Sequence, residues 1–468
     1  MNELTINLKP TGNKPMYEQI YDYIKNEIII GKMEVSYKLP STRALSRHLE
    51  ISRSTVEMAY EQLLSEGYIE SVPCKGYYVS AINTLVSYKK DDKKQSISEK
   101  YTKEKETCDI DFSPRGIDLD TFPYNAWRKV TKNILVDDNK ELFNAGDRQG
   151  DYEFRCTISN YLYQARGAVC DPEQIIVGAG NEYLLMILNQ IIESDIVIGM
   201  ENPAYKQAYR IFDSMGRNVV PIPLDKNGIS IDKLDETNAS VVYVTPSHQF
   251  PLGIVMPIQR RNELLAWAEE SDRRYIIEDD YDSEFRYKGK PIPSLYGSDI
   301  HNKVIYIGTF SRSIAPAIRM SYMVLPKPLF EKYKSGISFY SSSVSRIDQR
   351  IVNAFINEGY YERHLNKMRA TYKNKREVLI STIKKYAKNS KIIGDEAGIH
   401  ILIEIDNGMS EEEIVTKARK NGVKVYPLSD YYIDDEYSKI KIPTILIGYA
   451  VIGIEDIKRG IEKIADIL

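Results

Sequence analysis

The stretch YIGTFSRSIAPAIRMSY, Tyr306–Tyr322, most constrains what this chain can fold into. An apolar β-like run, Val304–Ile307, breaks at Gly308, and two hydroxyls, Thr309 and Ser311, follow at once with guanidiniums at Arg312 and Arg319. Hydroxyls and a fixed cation converging just after a strand form the donor set that a phosphate monoester requires. The surrounding sequence supplies a sheet for that strand. From Asp109 onward short apolar runs alternate with helical segments, the signature of an α/β domain with a largely parallel sheet. Strands are expected at Ile175–Val177, Ile196–Met200, Val241–Val244, Tyr275–Glu278, Val304–Ile307 and Met320–Leu325. Helices are expected at Asn181–Ile192, Tyr205–Met215, Ile258–Ser271 and Tyr361–Ala387. Beyond these, Ile399–Ile405 and Val423–Tyr426 read as strands, and Glu411–Lys420 and Ile454–Leu468 as helices, of a smaller C-terminal part. The glycine-rich turn Gly178-Ala179-Gly180 before the helix at Asn181 offers free amides and the positive end of a helix to an anion.

With 468 residues the chain exceeds what one core usually supports, so two or three domains are expected. A net charge of −3 gives no overall drive toward nucleic acid, so any such binding must come from a local patch. One exists: between Ser36 and Thr55, Lys38, Arg43, Arg47 and Arg53 oppose only Glu50. Four cysteines lie apart without CxxC spacing, which argues against zinc or a disulfide framework and suits a reducing compartment. No basic-then-apolar leader and no long apolar span is present, so a cytoplasmic location without membrane contact is expected.

The N-terminal pattern is a helix, a helix–turn–helix and a hairpin. Met16–Ile30 places Tyr17, Ile20, Tyr21, Ile24 and Ile28 on one helical face. Ser41 is positioned to cap a helix over Thr42–Leu49, a third helix spans Arg53–Glu66, and two β runs, Tyr68–Val72 and Tyr77–Ser80, flank Pro-Cys-Lys-Gly. This order makes a winged helix–turn–helix. Over nearly its whole length the segment resembles the GntR-type DNA-binding domain. The resemblance implies a third helix entering the major groove of operator DNA, with Ser52, Arg53, Ser54 and Thr55 at its leading end. Arg43 and the wing residue Lys75 would reach backbone or groove edges. The lysine-, aspartate- and glutamate-rich segment Asn83–Thr107 reads as a flexible tether.

The region from Asp109 resembles fold-type I pyridoxal-phosphate (PLP) aminotransferases, in the version carried by MocR-type regulators of the GntR superfamily. In that family a lysine follows Thr-Phe-Ser and forms the imine with the cofactor; here the residue is Arg312. A guanidinium stays protonated and has no nucleophilic amine. The resemblance therefore implies PLP held non-covalently, and no catalytic residue. It places Asp279, in IIEDDYDSEF, at the pyridine nitrogen, Tyr281 at the ring hydroxyl and Tyr205, in ENPAY, stacked on the ring. Ala179, Gly180, Asn181, Thr309, Ser311 and Arg319 would hold the phosphate, with Arg312 beside them. In TPSHQFPLG, Phe250 replaces an asparagine common in aminotransferases, and His248 is expected to make a structural or ring-edge contact. Asp430 falls where the family places the arginine that pairs with a substrate carboxylate, and Gln207 is neutral where some members carry a second arginine.

The expected architecture is thus a winged helix–turn–helix at residues 1–80, a charged linker at 81–108, and an aminotransferase-like α/β region at 109–468, large to 355 and small beyond. As a homodimer it would bind operator DNA through two arms and a small-molecule effector, PLP-related or an amine or amino acid, in the cofactor cavity. Two other readings stay open on the sequence: a working aminotransferase with an appended DNA-binding arm, and a structural dimeriser without ligand.

Overall fold

In the computed structural model, residues 6, 8, 14–81, 108–136, 140–287, 292–387, 390–434 and 442–468 are described. The tether read at 83–107 lies outside them. The chain divides into two compact units, Met1–Lys105 and Glu106–Leu468.

In the first unit, isoleucines at helical spacing set the packing. Helix α1 (Met16–Ile29) buries Ile20, Tyr21, Ile24 and Ile28. Helix α2 (Thr42–His48) starts where the Ser41 hydroxyl accepts the Ala44 amide at 3.2 Å. Helix α3 (Arg53–Ser65) starts in the same way, with Ser52 accepting the Thr55 amide. These caps satisfy amides that have no acceptor inside the helix. Val56, Ala59, Tyr60 and Leu63 of α3 meet α1, and strands β1 (Ile69–Val72) and β2 (Gly76–Val79) pair antiparallel as the wing.

The second unit is built on an eight-stranded sheet. Its strands are β4 (Ile175–Gly178), β5 (Val197–Asn202), β6 (Val219–Asp225), β7 (Gly228–Ile229), β8 (Ala239–Val244), β9 (Tyr275–Asp280), β10 (Val304–Thr309) and β11 (Ser321–Val324). The order is β4-β11-β10-β9-β8-β5-β6-β7, parallel from β10 to β6. Strand β11 runs antiparallel to both neighbours. Strands buried on both faces read as continuous apolar runs, so these were the legible ones. Strand β6, VVPIPLD, is half-buried and carries two prolines, and it was missed.

A second sheet, β12 (Lys391–Ile393), β13 (His400–Glu404), β15 (Tyr426–Pro427) and β16 (Thr444–Gly448), forms the smaller C-terminal layer. The strand expected over Val423–Tyr426 is split. Strand β14 (Val423–Lys424) pairs in parallel with β3 (Ile110–Asp111), while β15 joins β16. The segment that opens this unit, with Ile110, Phe112 and Ile117, thus packs in the core of the C-terminal layer. Sequence order placed it with the large sheet. The 27-residue helix Tyr360–Tyr386 packs on the same core.

Candidate functional site

Parallel strands deliver their carboxyl ends to one edge of a sheet, and ligands gather there. Here that edge carries Gly178–Gly180 after β4, Asp279–Tyr281 after β9 and Thr309–Arg312 after β10, with Arg319 entering β11 from the other side. They enclose a cavity of about 330 Å³, whose wall includes Gly180, Asn181, Tyr205, Asp279, Tyr281, Thr309, Ser311, Arg312 and Arg319.

Two adjacent carboxyl groups at the end of β9 have different fates. Asp280 is held by Arg166 at 2.8 Å and by the Tyr306 hydroxyl at 2.5 Å. Asp279 points into the cavity without a cation: Asn181 donates to it at 3.0 Å and the Tyr243 hydroxyl also donates. Burial pushes the Asp279 carboxyl up to about 7, partly opposed by the Tyr243 bond. A carboxylate buried in this way is stabilised by a ligand N–H or cation.

At the other end of the cavity, Thr309 Oγ1 accepts from the Ser311 amide at 3.1 Å and meets Ser321 Oγ at 2.9 Å. The Ser311 hydroxyl is buried with no protein partner among the described residues. Arg319, with φ of 47°, turns the chain into β11 and forms an ion pair with Glu182 at 2.6 Å. Gly180 has φ of +94°, and a Cβ there would lie 2.4 Å from Arg319 Nη2, so this turn requires glycine. The first turn of the Asn181–Ile191 helix, whose amides lack intrahelical acceptors, opens beside this group.

The aromatic wall is Tyr205 and Phe250, edge to face at 6.1 Å, with Tyr281 at 5.8 Å from Phe250. Behind it, His248 Nδ1 lies 2.9 Å from Asp282 and 3.0 Å from the Tyr281 hydroxyl. His248 is buried and contacts both side chains from behind the wall.

On the first unit, Arg43, Ser52, Arg53, Ser54 and Lys75 are exposed and Thr55 is half-buried. The Ser52 hydroxyl binds Ser54 and Thr55 as well as capping α3, and Arg53 is steadied by Glu57 at 2.7 Å.

Residues 16–79 match the family described as bacterial regulatory proteins, gntR family, and residues 117–446 match aminotransferase class I and II. The chain is 42% identical to the uncharacterized HTH-type transcriptional regulator YdeL of Bacillus subtilis, covering 99% of this chain and 98% of that protein. It is 30% identical to the probable rhizopine catabolism regulatory protein MocR of Rhizobium meliloti, covering 96% and 93%. The chain belongs to the MocR-type transcriptional regulators. The pyridoxine biosynthesis regulator PdxR of Corynebacterium glutamicum is 29% identical over 92% of each chain. The fold of the second unit is that of solved aminotransferases. The kynurenine aminotransferase of Pyrococcus horikoshii superposes with a TM-score of 0.67 at 24% identity, covering 76% of this chain and 90% of that one.

Several residues of this MocR-type chain sit differently from expectation. Ala179 is absent from the cavity wall, and its amide is already given to Ser343 Oγ at 3.0 Å. Asn181 serves Asp279 through its side chain. Asp430 is exposed in the short turn Leu428–Tyr431 and does not line the cavity. Glu182, Tyr243 and Arg115 were not anticipated. For Glu182 the signal was an acid in the first helical turn after a glycine turn. Tyr243 lies within an apolar strand, VVYV, where a tyrosine reads as core. For Arg115 no local signal existed, because strand β3 brings it to the cavity from the segment ahead of the large sheet. Among the described residues no helix is long and apolar enough to cross a membrane, and no cluster of metal-ligating side chains is present.

Proposed function

We propose that this regulator reads operator DNA through its winged helix–turn–helix and senses PLP, or a close relative of it, bound non-covalently in the cavity. The observation that carries the reading is Arg312 on the cavity wall, together with a buried carboxyl at Asp279 and an unpartnered hydroxyl at Ser311. The residues present fit the group. Asp279 would hold a protonated ring nitrogen, and Tyr281, set by His248, would hold the ring hydroxyl. Tyr205 would stack on the ring. Thr309, Ser311, Arg319, Gly180 and the following helix start would hold the phosphate. PLP supplies an aldehyde conjugated to an electron-withdrawing ring, but Arg312 has no amine to condense with it. The chain therefore binds and reports rather than transaminates. The relative PdxR is a regulator of pyridoxine biosynthesis, which agrees with a ligand of this class.

The aminotransferase-like unit is expected to form a homodimer, so that two tethered arms engage a two-site operator far more tightly than one. Ligand changes transcription only if it favours one arrangement of the arms. The test is the visible spectrum of the purified protein with added PLP, before and after borohydride, together with gel shifts on two-site DNA. The proposal expects PLP binding without a borohydride-stable mass adduct, and ligand-dependent mobility. A covalent adduct in the cavity, or a two-site complex indifferent to PLP at saturation, refutes it.

A further inference from the structure

The charge of the cavity is unbalanced in one place. Three guanidiniums line it: Arg115, Arg312 and Arg319. Arg319 is paired with Glu182. Arg312 gives one hydrogen bond, to the Pro114 carbonyl at 3.2 Å, and makes no ion pair among the described residues. That carbonyl belongs to the residue preceding Arg115, so the Arg312 guanidinium lies against the segment that carries Arg115. The Arg115 side chain has no hydrogen bond or ion pair among the described residues and is exposed at the cavity's edge. Burial raises the Tyr205 and Tyr431 hydroxyls above their ordinary range, and the charges of Arg312 and Arg115 both work against that rise. Both cations therefore bear on the same two tyrosines. Asp430 opposes them at Tyr431, and Asp279 and Glu182 oppose them at Tyr205. Among the described residues, however, none of these acids pairs with either guanidinium, and Gln207 on the wall is neutral.

We propose that Arg312 and Arg115 form a carboxylate clamp, so that the effector is a phosphate-bearing ring compound that also carries a carboxylate and is held at both ends. A guanidinium presents a planar fork that pairs bidentately with a carboxylate, which an ammonium cannot do. The residue that removes covalent chemistry thus supplies a receptor for a second anion. A cavity of about 330 Å³ is at the small end for small-molecule sites, room for one ring, its phosphate and a short arm. The chemical class is a phosphopyridoxyl compound bearing an amino-acid carboxylate. The proposal rests on the cavity being a site for PLP or its relatives.

Two conjugates separate the two ideas: N-(5′-phosphopyridoxyl)-L-alanine, and N-(5′-phosphopyridoxyl)-ethylamine, which differs only in lacking the carboxylate. Titration calorimetry on the full-length protein should show the alanine conjugate binding at least about tenfold more tightly, the scale of one charge-assisted pair. Arg312→Gln and Arg115→Gln should each reduce that preference below about threefold, with the ethylamine conjugate little changed, and Arg319→Gln should weaken both conjugates alike. Thermal melts of each variant confirm that it is folded. Equal affinity of the two conjugates in the wild type, or an undiminished preference in Arg312→Gln, overturns the clamp while leaving the cofactor cavity standing. Failure of every phosphopyridoxyl compound to bind overturns both.

Discussion

Replacing Asp279 by asparagine should stabilise the ligand-free protein, and only above a defined pH. The carboxyl is fully enclosed, and burial lifts it to about 7 from its ordinary 3.8. Such a group contributes most to folding below the unfolded value, and its contribution is lost as pH rises through the folded value. The window is therefore about pH 4 to about pH 7. Across it the wild type loses about 4 kcal/mol through this one carboxyl, before local relaxation reduces the figure. Asparagine keeps the neutral shape, and its amide can still pair with Asn181 and Tyr243, so the variant avoids the loss. For a unit of this size, 4 kcal/mol corresponds to about 5 °C in Tm. Melting curves of wild type and Asp279→Asn from pH 4 to pH 8.5, without ligand, make the measurement. Glu201, also pushed up to about 7 by burial, adds pH dependence of the same sign to both proteins. The Asp279 charge contributes to its rise, so Asp279→Asn also eases Glu201, which widens the difference in the same direction. The difference in Tm should open from near zero at pH 4 and level off above pH 7. A ligand with a protonated ring nitrogen should close the gap in the wild type and stabilise the variant far less. A pH-independent difference, or a less stable variant at pH 8, would refute the burial argument.

Three further outcomes are expected. Arg312→Lys should turn the protein yellow with PLP and yield a borohydride-stable adduct at residue 312, because the surrounding ring and phosphate donors are in place; a colourless variant would count against the cavity. Glu182→Gln frees Arg319 from its 2.6 Å partner and removes an acid from the phosphate end. As that pair is half-exposed, phosphate-bearing ligands should bind only about threefold more tightly, read by fluorescence titration, and weaker binding would contradict the competition. Arg53→Ala, at the exposed head of α3, should weaken operator binding by about 1–3 kcal/mol if it reads a base, while the melting of the second unit stays unchanged. Equal gel-shift affinity across a salt series would displace the DNA face assigned to α3.

The architecture was largely written in local sequence. Amphipathic spacing in α1, serine caps before α2 and α3, and apolar runs in β4, β5, β8, β9, β10 and β11 each depend on residues a few positions apart, so they can be read without knowing the fold. The order of the motifs around Asp279, Thr309 and Arg312 likewise marked the cavity, because strand ends must carry their site residues in the turns that follow. Tertiary structure alone decided the rest. Parallel pairing of β3 with β14 joins residues about three hundred positions apart and carries Arg115 to the cavity. The same folding leaves Asp430 outside, gives the Asn181 side chain to Asp279 and spends the Ala179 amide on Ser343. Which of two adjacent carboxyls would be satisfied was also invisible in Asp279-Asp280. The pleat turns one toward Arg166 and the other toward the cavity, and burial without a cation then sets the Asp279 carboxyl near neutrality.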